Sequence, residues 1–181
     1  MHKRTLAAGL LSVITSLMAA QASAATLPYT PSSSLPVLSE GGLTWPLKGL
    51  NDGKGKVAAE SINGFGSSQG TGTITFKLDH CAKVDSFEVW NNINRTTNGI
   101  TNYTLRLYGA TNHTLLKTVT SGTLATNGPG GADVGPDTLQ LGGVPFVGSI
   151  DMEITRSDGR IEIREVEING SSAGADGVCC P

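Results

Sequence analysis

The chain has 181 residues, only 15% of them charged, with 24 glycines and a formal net charge of −2. Bases and acids are scattered rather than clustered, which excludes a phosphate-tracking surface and hence nucleic acid as a partner. Nothing after the first residues approaches about 18 consecutive apolar positions, so no membrane insertion is expected.

The N-terminus runs Met-His-Lys-Arg, then an apolar stretch from Thr5 to Ala20, then Gln21-Ala22-Ser23-Ala24. Charge, apolar residues and small residues in that order form a secretory signal, with cleavage expected after Ala24. The leader has a bacterial look, so the protein is expected in the periplasm or outside the cell, with the sequons at Asn94, Asn102, Asn112 and Asn169 unmodified. Removal of residues 1–24 takes Lys3 and Arg4 with it and leaves 157 residues, with 11 bases against 15 acids. That length suits one domain with one core.

Residues 25–42 are rich in Pro and Ser and show no period, and read as an extended lead-in. The domain proper is expected over 43–170, with a Cys-containing tail at 171–181. From Thr71 to Leu78, Ile74, Phe76 and Leu78 alternate with Thr73, Thr75 and Lys77, the signature of a half-buried strand. Strands are expected also at 84–91, 103–108, 114–120, 137–141, 150–155 and 160–169. About eight antiparallel strands define an all-β sandwich. Within the last of them the apolar parity changes between Ile163 and Val166, which requires one extra residue near Arg164-Glu165. A β-bulge there would turn Glu165 towards a neighbour or an ion.

Successive antiparallel strands place their connections alternately at the two ends. One end should gather 61–70, 91–102, 121–136 and the 157–159 turn; the opposite end should hold His80-Cys81 and the tail. The first end carries the donor and acceptor mixture that sugar hydroxyls need: Asn91, Asn92, Arg95 and Asn98 in one connection, and Arg156, Asp158 and Arg160 around a turn. Phe65 is expected to supply an apolar platform beside them. Long β-loops use Asn and Gly in any case, and the two arginines also have Asp158 as a natural partner.

Three cysteines, Cys81, Cys179 and Cys180, sit in a chain bound for a compartment where disulfides persist. Either Cys81 pairs with one of the tail cysteines and leaves a thiol, or the adjacent pair oxidises and Cys81 stays reduced. The first closes a loop of about 100 residues, which chain entropy values at about 4.7 kcal/mol, and is preferred. A spare tail thiol would permit self-association of copies.

Gly66-Ser67-Ser68-Gln69-Gly70 matches G-x-S-x-G, but a strand pattern follows where a nucleophile elbow needs a helix. Neither His80 nor His113 has partners at zinc-site spacing. No catalysis is expected.

The order Leu50-Asn51-Asp52-Gly53, then 72–79, then 84–91, then Ile161-Glu162-Ile163-Arg164-Glu165-Val166-Glu167-Ile168 resembles the discoidin or coagulation-factor-type C domains. These are galactose-binding-like jelly rolls that include many bacterial carbohydrate-binding modules, and the likeness spans about residues 43 to 170. It implies a non-catalytic module for carbohydrate or another cell-surface component. It also implies a structural Ca²⁺ at Asp52 and Glu165, whose oxygens suit that ion. The usual Trp after the Asp-Gly turn is missing, and Arg106-Leu107-Tyr108 lacks the Arg-x-Asp of the fucose-binding branch. A structural or self-assembling surface protein joined through its terminal segments is the alternative reading.

Overall fold

The computed structural model describes residues 24–56, 64–92, 99–124, 135–157 and 159–172, with only the backbone of 156 and 157. The leader and the cysteines of the tail lie outside these residues. The described strands are β1 (Ala25–Thr26), β2 (Tyr29–Ser33), β3 (Ser39–Glu40), β4 (Leu43–Thr44), β5 (Phe65–Ser67), β6 (Gly72–Asn91), β7 (Ile100–Gly109), β8 (Leu115–Thr120), β9 (Asp137–Ser157) and β10 (Ile161–Ser172). All pairings are antiparallel.

β6 and β9, 20 and 21 residues long, run together through both layers. Gly72–Lys77 pairs with β2 on one side and with Ser149–Ile154 of β9 on the other, and β9 continues the layer through β7 to β8. Register shifts between Lys77 and Ser86 turn the pair through a corner. Beyond it, Ala82–Asn91 lies between β10 and the first half of β9. The sequence expected one strand on either side of a connection at His80-Cys81; instead a single strand continues through it, while its register with β9 skips from Lys77 to Ala82. The corner is marked by Asp79-His80, both exposed, interrupting an apolar alternation that resumes at Ala82 and Val84.

The layers face each other across an aromatic chain. Tyr29 meets Phe76 edge-on at 5.1 Å, Phe76 meets Phe87 at 5.5 Å, and Phe87 meets Tyr103 at 5.8 Å. Phe76 lies before the corner and Phe87 after it, so their contact joins the two halves of one strand. Such offset and edge contacts add stability beyond burial alone. Ile74, Leu105, Leu107, Ile150, Met152 and Ile168 complete a core with no solvent exposure.

The lead-in belongs to this sandwich, and the domain reaches back to Ala25 rather than beginning at residue 43. β1 pairs with Asn169–Gly170, and β2 is an edge strand on β6. Pro31 removes no needed donor at an edge, which is where a strand tolerates proline. Leu27, Tyr29, Leu35 and Leu38 are buried. The Tyr29 hydroxyl lies 2.9 Å from the Leu50 carbonyl and 2.8 Å from that of Val166, tying the short 3-10 turn Leu47–Leu50 to β10.

The bulge stands where the parity change placed it. Ile163 pairs with Asn91 and Glu165 with Trp90, leaving Arg164 as the extra residue. Both Arg164 and Glu165 are buried.

Candidate functional site: the rim of the sandwich

One end of the sandwich collects the expected connections. Ile161 N donates to Gln69 O, Leu124 N to Thr101 O, and Ile100 pairs with Ser157. Across this end runs a line of polar side chains from four segments. Arg160 donates through Nη1 to Glu40 Oε2 at 2.6 Å and is bridged through Nε to Glu162 Oε1. Glu162 Oε2 accepts from Asn92 Nδ2. The order Glu40, Arg160, Glu162, Asn92 alternates acceptor and donor, and the Glu40 and then Glu162 carboxylates hold the Arg160 proton more firmly than usual. Glu162 pairs with Gly66 of β5, and Gly66 N donates to Trp45 O, so half-buried Trp45 is held on the same edge.

Two expected rim groups are turned to other uses. Phe65 is no exposed platform: it is 1% exposed, because Phe65–Ser67 is a strand on β10 rather than loop and directs the ring into the core. Asn91 is buried as well. Its amide nitrogen donates to Ile100 O at 2.8 Å, while its oxygen accepts from Ile100 N and Asn92 N, both at 3.0 Å. It thus clamps the two ends of the connection between β6 and β7 instead of reaching a ligand. Gly99 completes the clamp, since an added Cβ would lie 2.6 Å from Asn91 Oδ1. Buried Arg164 adds a bond from Nε to Asn91 O at 2.7 Å. Asn92 and Arg160 do stand together. Arg95, Asn98 and Asp158 lie outside the described residues, as does the side chain of Arg156.

Glu40, Glu162 and Trp45 were not among the rim residues expected from sequence. Glu162 carried a usable signal, the outward parity of β10 opposite a glycine; Glu40 carried none, being 120 residues from its partner.

The expected metal pair lies elsewhere, on the flank where the 51–56 turn meets β10. The Glu165 carboxylate accepts from Gly53 N through Oε1 and from Gly55 N through Oε2, each at 3.1 Å. Asp52 Oδ1 accepts from Lys54 N at 2.9 Å in a local turn. Amide hydrogens aimed at both oxygens make a donor set for an anion, and no group of three or more acidic, His or Cys side chains suited to a metal occurs among the described residues. Asp52 and Glu165 by themselves supply fewer oxygens than the six to eight that Ca²⁺ takes.

Burial first, opposed by the Gly53 and Gly55 bonds, raises the Glu165 carboxyl above its ordinary range; burial and then Glu167 raise Glu88. Groups raised in the folded state make stability fall as pH rises through their folded titration. The melting temperature is therefore expected to increase from pH 7 down to about pH 5, with a shallower slope in Glu88→Gln. A melting temperature that falls over this window would contradict it.

Cys81 is buried at the corner; Cys179 and Cys180 lie outside the described residues.

No family model matches the sequence, and no curated relative matches it. Solved structures match the fold. The F5/8 type C domain of a Bacteroides fragilis protein superposes with a TM-score of 0.60 at 10% identity, covering 83% of this chain and 99% of that one. The family 32 carbohydrate-binding module of NanJ from C. perfringens, solved with galactose, gives 0.58 at 16% identity over 81% and 98%. CpGH89CBM32-5 from Clostridium perfringens, solved with GalNAc-β-1,3-galactose, gives 0.60 at 15% identity over 80% and 99%. The fold is that of the discoidin-like, galactose-binding-like jelly rolls.

Proposed function

We propose that the chain is a secreted recognition module that binds carbohydrate at the rim end and performs no turnover. The observation that carries this reading is the run of alternating acceptors and donors from Glu40 through Arg160 and Glu162 to Asn92. Sugar hydroxyls both donate and accept, and a carboxylate beside a guanidinium meets vicinal hydroxyls with charge-assisted bonds on both sides. Trp45 takes the apolar role first expected of Phe65, offering part of a ring to the C–H face of a sugar. Arg95, Asn98, Arg156 and Asp158 extend the same connections. The fold likeness to modules solved with galactose and GalNAc-β-1,3-galactose favours this ligand class over others. Ser68 leads directly into β6, which leaves its G-x-S-x-G match without the helix an elbow requires.

Two features support export. β1 begins at Ala25, so cleavage after Ala24 would leave the first strand whole. Ser172 pairs with Ala82, so the tail departs one residue from Cys81, in favour of a bridge from Cys81 to Cys179 or Cys180.

The test is a glycan array probed with the chain from Ala25 onward. Retention on glycans ending in galactose or N-acetylgalactosamine is the expected result. A protein with a β-type circular-dichroism spectrum that binds no glycan above background would overturn the reading.

A further inference from the structure

We infer that Lys56 is the resident cation of the 51–56 turn, so that the fold is closed by an internal ammonium and two amides and needs no divalent ion. The inference starts from the planarity of the peptide unit. Gly53 N–H and Gly55 N–H point at Glu165; in trans peptides the carbonyls of Asp52 and Lys54 must then point away from it. The two backbone oxygens nearest in sequence are thus withdrawn from the place where an ion shared with Glu165 would sit.

The turn is held in this orientation by its glycines. Gly53 adopts φ +75, a conformation that side chains rarely accept, and a Cβ on Gly55 would lie 2.0 Å from Arg164 O. Gly55 therefore lets the turn settle against the bulge of β10, and the bulge in turn presents Glu165.

Positive charge is supplied from within the chain. Lys56 Nζ bonds Glu167 Oε1 and lies 5.3 Å from the centroid of the Trp90 ring. Its charge also favours the ionised forms of Glu165 and Glu88, which stand around it on the outer face of β6 and β10. The ammonium is bonded by Glu167 and held over the Trp90 ring, which adds cation–π attraction. A divalent ion entering here would meet two amide hydrogens and an ammonium of its own sign.

The experiment follows thermal unfolding of the full mature chain by circular dichroism in EGTA and in excess Ca²⁺. The two melting temperatures are expected to coincide. An ion bound at a hundred times its Kd would instead raise the Ca²⁺ value by roughly 5 to 10 °C, and that result would overturn the inference. In EGTA, Lys56→Met is expected to melt ~3 °C or more below the wild type, while Lys56→Arg, which keeps charge and stacking, stays near it. Equal melting of Lys56→Met and wild type would also overturn it. Should Lys56→Met fail to fold, the Ca²⁺ comparison on the wild type decides alone.

Discussion

Arg160→Ala is expected to abolish retention on the glycans that the array identifies, with a loss of roughly 30-fold or more in affinity, about 2 kcal/mol, and little change in melting temperature. The two effects separate because of where Arg160 stands. Its partner Glu40 is 64% exposed, and an ion pair so open to water contributes little to folding, while Glu162, 16% exposed, keeps Asn92 Nδ2 as a donor once the guanidinium is gone. In binding, by contrast, the guanidinium is the only positive group of the described rim line and positions both Glu40 and Glu162 for hydroxyls. Arg160→Lys should recover only part of the affinity, since an ammonium is a point charge without the planar fork that spans two carboxylates. Surface plasmon resonance of the folded variants measures both; wild-type affinity in Arg160→Ala would remove the rim from the binding site.

Phe76→Ala should produce the largest loss of stability, about 3 to 5 kcal/mol. In a chain of this length that lowers the melting temperature by roughly 6 to 20 °C. Phe76 has no solvent exposure and touches both Tyr29 and Phe87, so its removal opens a cavity between the layers that neither ring can fill without leaving its other partner. Phe146, 42% exposed on β9, provides the contrast: Phe146→Ala buries nothing less and should melt within a few degrees of the wild type. Equal melting of the two variants would mean that the aromatic chain is not the centre of the core.

Much of this architecture was legible in local pattern. Alternation at Ile74, Phe76 and Leu78 reports one buried face directly, and the parity break between Ile163 and Val166 located the bulge at Arg164. Counting strand reversals put Asn92 and Arg160 at one end, where Glu162 joins them. What local pattern missed has a common cause. Asp79-His80 reads as a loop because its side chains meet water, yet the strand continues through it and Asp79 N still donates to Pro28 O. Phe65 reads as a rim aromatic because three residues between glycines carry no period, and only the pairing with Ile161–Ile163 turns it inward. The peptide orientation on which the Lys56 inference rests, with Gly53 and Gly55 donating to Glu165, is a property that residue types alone do not encode. Glu40 met Arg160, and Gly53 met Glu165, across more than a hundred residues of chain.

The corner shared by β6 and β9 has a mechanical meaning. Because each of these strands supplies ladder bonds to both layers, the layers cannot part without bending both strands at the corner. Amide protons on either side of the corner should therefore exchange with solvent in a single cooperative opening. The Glu40–Arg160–Glu162–Asn92 line of the proposed rim site is tied to that frame through β10 and the end of β6.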